Sequence, residues 1–374
     1  MHIPFLDIAI QIIHWLQNLG PWLTPAMQAF SFLGSEPFYL FTVPAIYWCW
    51  DAALGLRFGA SLMLSSILNA TLKLAFHNPR PYWVHTDIQA LATESSFGIP
   101  SGHAQNAVVV WGVLAAWFRR RSAWLVAVML AFLIGLSRLA LGVQYPLDVV
   151  VGWLVGAAVL AVLLKVETPL RAWFRNRSIQ DQALWVVGVS LALLVVGTVL
   201  RLWLETWHLP QEWVVAASLA APKSELIHPL ALADLISYGG SFFGLAFGAV
   251  MLRAVGGFKT QGSARKRLLR YPLGIAGVAA LWFGLGVIFP RGEFLLAYAL
   301  RYLRYGLVGF WITFIAPFIF VKLKLAEPLW TPPPPPPKPQ KIESAPAQKP
   351  AGDRKQSAGK PPRKKDRPGF RRQM

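Results

Sequence analysis

Nine separate windows of this 374-residue chain stay apolar over the length that a bilayer demands. They fall near residues 34–50, 53–73, 101–118, 123–142, 146–166, 183–203, 230–252, 271–289 and 297–321, close to the roughly 17 to 25 residues that a helix needs to cross. In hydrocarbon every backbone N–H and C=O must be paired within the segment, so such windows fold as helices. A composition of 55% hydrophobic and only 14% charged residues, with 17 tryptophans suited to the two interfaces, leaves no room for a soluble domain of this length. The expected fold class is therefore all-α, a polytopic transmembrane helix bundle. The first window is the least regular, because Glu36 and Pro44 interrupt it.

The basic loops set the orientation. The stretches at 118–122, 171–178 and 253–270 are rich in Lys and Arg and fall on one side of the alternation, which the positive-inside rule makes cytoplasmic. The loops at 74–100, 143–145 and 204–229 then face outward, with Arg80 and Lys223 as their few cations. The N-terminal stretch lacks a basic n-region and a small-residue cleavage site, so it reads as a retained amphipathic helix at the interface. From Thr331 onward the chain carries 12 Lys or Arg against 3 Asp or Glu, nearly half of the net charge of +19. A Pro-rich, basic segment of this kind cannot build a core; it is expected to be disordered, to lie in the cytoplasm and to skim anionic lipids. No specific nucleic acid is expected as a partner. The single Cys49, in an apolar run, leaves no disulfide and no cysteine cluster for metal.

Polar residues collect at the outward helix ends. Lys73 closes the second window, and a proline-stiffened loop delivers Arg80 seven residues later. The third window opens at Ser101, where the free N–H groups of a first turn and the positive end of the helix dipole favour an anion. Gly102 lets a backbone approach that anion, and His103 follows. Ser137 and Arg138 end the fourth window and Asp148 begins the fifth. Cations this close to hydrocarbon are costly unless an anion or a wet cavity compensates them, which marks the set as a candidate site.

The segments K-x6-R-P at 73–81, P-S-G-H at 100–103 and S-R-x5-Q-x3-D at 137–148 resemble the three linked motifs of the type 2 phosphatidic acid phosphatase (PAP2) superfamily. The resemblance spans about residues 30 to 166. It implies a helical core that removes phosphate from lipid phosphates, phosphatidate and polyprenyl pyrophosphates among them, with no metal and no cofactor. On this resemblance Lys73, Arg80 and Arg138 clamp the phosphoryl oxygens, with Ser101 and the Gly102 N–H completing the cradle. His103 is the general acid on the leaving alcohol. Asp148 orients the third-motif histidine, which in the family is the phosphorylated nucleophile.

That position holds Gln144. An amide cannot form a phosphohistidine, so the covalent route is closed as written. His77 and His85 share the outer loop, where each is more simply a loop histidine that binds solvent or headgroups; His14, His208 and His228 read as interfacial. Three readings stand. One is a PAP2-type lipid phosphatase in which Gln144, bonded to Asp148, positions an attacking water. The second is a family member that binds a phosphate headgroup without turnover. The third is a membrane scaffold whose cations anchor the bilayer edge, a role that has no need of His103 or Asp148.

The expected organisation is an interfacial N-terminal segment at 1–33, a PAP2-like core of about five to six helices at 34–170, about four further membrane helices at 171–325 and the tail at 326–374. Gly240, Gly244 and Gly248 form a small-residue stripe on one helix, with Gly274 and Gly277 on the next, as close packing in lipid requires. The paired Arg301 and Arg304 either line a groove for the lipid or, more simply, snorkel to the interface. The expected location is the plasma membrane, with the site outward, the tail cytoplasmic and a lipid phosphate as ligand.

Overall fold

The computed structural model describes residues 4–222 and 224–329, which form one compact all-helical unit. Most of the tail assigned to 326–374, and Lys223, lie outside the described residues. In chain order the helices are α1 (Pro4–Asn18), α2 (Leu23–Phe32), α3 (Glu36–Ala45), α4 (Ala52–Phe76), the single turn α5 (Pro81–Val84), α6 (Gly102–Phe118), α7 (Arg121–Ala140), α8 (Pro146–Arg175) and α9 (Ile179–Trp203). Then come α10 (Gln211–Ala220), α11 (Ala233–Ala254), α12 (Ala264–Ala279), α13 (Leu285–Ile288), α14 (Leu295–Phe310) and α15 (Ala316–Lys322). Short π-helical turns at Ile46–Trp50, Ala280–Gly284 and Trp311–Ile315 extend α3, join α12 to α13 and join α14 to α15.

Each of the nine apolar windows coincides with a helix. Among the described residues, seven helices are long and apolar enough to cross a membrane, so this is a multi-pass membrane protein. The two shorter ones are α6, with 17 residues, and α3, whose 10 residues end in a π turn two positions after Pro44. That proline removes a backbone donor from the ladder, a recognised cause of such irregularity. The outer faces are greasy in the manner of lipid contact: Leu184, Val195, Val199, Phe283, Val287 and Leu295 are exposed.

Close backbone approach sets the core. Added to Gly152 or Gly156 of α8, a Cβ would stand 2.7 Å from the Ser101 carbonyl oxygen or 2.6 Å from that of Gln105. These glycines thus seat α8 directly on the first turns of α6. On its other side α6 is tied to α4 by buried amides and hydroxyls. Gln105 donates to the Ser65 carbonyl at 2.9 Å, and Asn69 donates to Gln105 Oε1 at 2.9 Å and to the Pro100 carbonyl at 3.1 Å. Interhelical hydrogen bonds of this kind average about 0.6 kcal/mol each in lipid, so their main effect is to fix register.

The Gly240, Gly244 and Gly248 stripe packs closely on α14, as expected, against Tyr302, Gly306 and Phe310, while Gly274 and Gly277 admit the indoles of Trp48 and Trp311. Two expectations need correction. The loop at 204–229 is not simple: it contains α10, which packs on α5, and Trp213 lies against Trp83 and Trp207. Arg301 and Arg304 do not reach away from the bundle. Arg301 donates to Ser237 Oγ at 3.0 Å, and Arg304 stacks over Trp282 and Tyr305, which holds both guanidinium groups against the protein although the Arg304 Nε has no hydrogen-bond partner.

Candidate active site

Three helix ends meet where the loops at 77–101 and 141–145 converge. At the end of α4, His77 adopts a left-handed conformation and its N–H closes on the Lys73 carbonyl at 2.9 Å, so the chain turns away immediately after Lys73. The loop then brings in Arg80, which is buried and commits four of its five N–H donors to the protein. It donates to the Ser96 carbonyl at 2.6 Å, the Val143 carbonyl at 2.9 Å, the Phe97 carbonyl at 3.0 Å and Ser96 Oγ at 3.2 Å. Ser96 Oγ also accepts from Lys73 Nζ at 2.7 Å, so one hydroxyl bridges the two cations of the first motif.

At the start of α6, Ser101 is the N-cap, and its own N–H donates to the Asp148 carbonyl at 2.9 Å. A Cβ on Gly102 would lie 2.9 Å from Asn69 Oδ1, so this position demands glycine for packing as well as for any ligand. At the end of α7, Arg138 is buried and donates to Ser31 Oγ at 2.5 Å and to the Glu94 carboxylate. Gly142, at a φ of 74°, then reverses the chain against the Gln89 carbonyl, where a Cβ would clash. That reversal returns Gln144 to the same place as Arg138.

A single cavity of about 550 Å³ gathers Lys73, Arg80, Gly102, His103, Arg138 and Gln144. Ser101 and Asp148 are not on its wall. Both are buried behind it, Ser101 as a helix cap and Asp148 with Oδ2 accepting from the Tyr145 N–H at 2.8 Å. Gln144 is buried as well, with Oε1 unpartnered, and the expected hydrogen bond from its amide N–H to Asp148 is not formed: the Asp148 carboxylate accepts from the Tyr145 N–H instead. The reason is local: with Pro146 in the first turn of α8, Asp148 is at the position where a carboxylate reaches back to the N-cap backbone.

Sequence reasoning missed four contributors. Ser31 belongs to the segment 1–33 expected to be interfacial, yet it accepts from Arg138, and a Cβ on Gly34, three residues on, would press on the His103 ring at 3.0 Å. Ser96 and Glu94 are the others. Glu94 pairs with Arg138 and stands 3.9 Å from His103 Nδ1. Burial pushes its pKa up, but Arg138, Arg80, His103 and Lys73 outweigh that and hold it well below the usual carboxylate range. The available signal was a lone acid within the otherwise uncharged stretch 88–102.

The remaining histidines are placed elsewhere. Among the described residues that line the cavity, His103 is the only histidine. His77 packs edge-on to Trp207, and His85 leaves Nε2 buried without a partner instead of meeting solvent. His14, expected to be interfacial, is bonded to Asp87 at 2.8 Å, which fastens α1 to the loop that follows α5.

Comparison with known proteins follows the same residues. The PAP2 superfamily model matches residues 54–172, and the model described as PAP2 superfamily phosphatase, transmembrane extension, matches 236–328. Phosphatidylglycerophosphatase B of Bacillus subtilis is 30% identical over 153 residues, which cover 36% of this chain and 71% of that protein. The chain belongs to the PAP2 superfamily. Other PAP2 relatives include glucose-6-phosphatase 3 of Homo sapiens, 28% identical over 254 residues that span 60% of this chain and 69% of the relative. The crystal structure of a transmembrane PAP2 phosphatidylglycerolphosphate phosphatase from Bacillus subtilis aligns over 45% of this chain and 88% of its own, at 25% identity and a TM-score of 0.40. The match to the transmembrane extension covers α11 from Ile236 onward, and the cavity takes part of its wall from that stretch through Tyr238, Ser241 and Leu245.

Proposed function

We propose that this protein hydrolyses a lipid phosphate or pyrophosphate, of the phosphatidate or polyprenyl class, at the outer membrane face, with Gln144 standing where the family nucleophile is a histidine. One observation carries the reading, and it is the shape of the cavity. Its lining along α4 runs from Gly59 to Lys73, about 20 Å at 1.5 Å per residue. Lys73, Arg80, His103 and Arg138 stand at one end, and Val43, Leu62, Leu245 and Ile312 line the wall toward the other. A phosphorylated headgroup with a hydrocarbon chain matches that polarity along its whole length.

In this reading Arg138 and Lys73 hold the phosphoryl oxygens, and Arg80, whose donors are mostly engaged, adds its charge and fixes the loop. Gln144 Oε1, unpartnered in the cavity wall, accepts a hydrogen bond from the attacking water. The water oxygen bonds to phosphorus while the bond to the lipid oxygen breaks. His103 gives its proton to that leaving oxygen, and the proton of the water passes to a phosphoryl oxygen. Ser101 and Asp148 act from behind by fixing the start of α6 and the turn that carries Gln144. The basic tail lies in the cytoplasm at anionic lipids, the host is the plasma membrane, and the division into 34–170 and 171–325 separates a catalytic core from helices that complete its cavity.

The test is phosphate release by the purified protein from phosphatidate, from a polyprenyl pyrophosphate and from a water-soluble phosphomonoester. Turnover of the lipids that disappears in His103→Ala and in Arg138→Ala is expected. Equal turnover of the soluble ester would overturn the lipid assignment. A second reading, headgroup binding without turnover, draws on the amide at Gln144, which cannot carry a phosphoryl group. It prevails if Arg138-dependent lipid phosphate binding is found with no release.

A further inference from the structure

The cavity is not short of negative charge where a phosphoryl group would sit. Glu94 already occupies Arg138, and its carboxylate is the one that pairs with a cavity cation among the described residues. Glu36 and Asp234 also line the cavity, but Glu36 accepts from the Tyr238 hydroxyl at 2.6 Å and neither is ion-paired to the cradle. The pairing is incomplete from the side of Arg138. Its Nε is buried, faces no partner, and remains a free donor beside the one used by Glu94. A guanidinium recognises an anion best through two parallel N–H bonds, and a tetrahedral phosphoryl group offers more acceptors than the single contact seen here.

Glu94 is also built to move alone. Its backbone is pinned on both sides by the buried Tyr82, whose hydroxyl donates to the Glu94 carbonyl at 2.9 Å and accepts from the Glu94 N–H at 3.1 Å. The side chain, by contrast, is 27% exposed and faces the cavity. A rotation about its own bonds carries the carboxylate off Arg138, and His103 Nδ1 stands only 3.9 Å away to receive it. Released in this way, the carboxylate would sit beside the imidazole when its charge is most useful, as the acid gives up and regains its proton.

We propose that Glu94 is the resident anion of the phosphoryl cradle, holding Arg138 in the empty protein and yielding it to the phosphoryl group by turning toward His103. The inference rests on the proposed phosphate-binding function. It makes Glu94 a determinant of affinity: each ligand displaces a carboxylate, so binding is weaker than the cations alone would give. The benefit is that Arg138, buried next to hydrocarbon, keeps a counter-charge.

The experiment is calorimetric titration of the full-length protein in detergent with inorganic phosphate, for the parent, Glu94→Gln, Glu94→Asp and Arg138→Ala. A charged hydrogen bond removed from competition corresponds to roughly a tenfold gain or more, so Glu94→Gln should bind phosphate about tenfold tighter. Glu94→Asp, which keeps the charge but shortens its reach, should gain less, and it carries the test if the glutamine variant fails to fold. Unchanged or weaker binding in both Glu94 variants, with Arg138-dependent binding in the parent, overturns the proposal. Binding that is absent from all four proteins, or indifferent to Arg138, overturns the functional reading itself.

Discussion

The carboxylate of Asp148 accepts the N–H of Tyr145 at 2.8 Å, and the side chain of Gln144, one residue earlier, keeps a buried oxygen with no partner. The carboxylate is engaged as a helix cap, and the oxygen of Gln144 is free to meet a ligand.

Gln144→His should restore a nucleophile in a site whose cations are already in place. Phosphate release from a lipid phosphate is expected to rise by at least about tenfold, the smallest effect usual for covalent nucleophiles. A malachite-green time course on purified parent and variant measures it, and equal rates would show that the turn at 142–145 does not present the imidazole to phosphorus.

Arg80 and Arg138 should separate on substitution. Arg80→Ala leaves three carbonyls without their donor and the Ser96 hydroxyl with Lys73 alone, a loss on the order of 3 kcal/mol or more, and should lower the melting temperature sharply. Arg138→Ala removes only two side-chain contacts and should mostly abolish phosphate binding. Thermal melting in detergent, with and without phosphate, distinguishes the two; equal destabilisation contradicts the assignment.

Gly152→Ala should act on the site from a distance. The new Cβ would lie 2.7 Å from the Ser101 carbonyl oxygen and force α8 away from α6. Overpacking of this type costs about 1 to 3 kcal/mol. The hydrogen bond from the Ser101 N–H to the Asp148 carbonyl should break with it, so phosphate affinity should fall although no ligand contact is altered. Retained affinity in a destabilised protein would uncouple this helix contact from the site.

The Glu94 ion pair gives a pH signature with a definite sign. Its pKa is lowered on folding, so its stabilisation is fully present above the unfolded carboxylate value of about 4.5 and fades as pH falls through the folded value. Glu94→Gln should therefore be less stable than the parent by a constant margin, on the order of 2 kcal/mol for a lost charge-assisted hydrogen bond, from about pH 8 to pH 5. The margin should narrow only below about pH 4.5. A margin that instead narrows between pH 6 and 8 would assign the effect to another group.

Much of this protein was fixed by patterns that depend on near neighbours in the chain. Hydrocarbon tolerates only internally bonded backbone, so runs of apolar residues were enough to locate every long helix, and three short motifs at helix ends identified Lys73, Arg80, Gly102, His103, Arg138 and Gln144 as residues of one cavity. Partnership was a different matter, because it depends on which segments meet. Ser31 lies 107 positions from Arg138 and Glu94 lies 44 positions from it, separations over which no local periodicity carries a signal. The motif reads Asp148 as a partner that orients residue 144; in the structure its carboxylate accepts the Tyr145 N–H, while the seating of α8 on α6 at Gly152 and Gly156 is a contact that no motif announced. Local sequence determined which segments would be helices and which ends would be charged; the tertiary structure alone determined which anion those charges hold, since only packing brings distant polar groups within hydrogen-bonding distance.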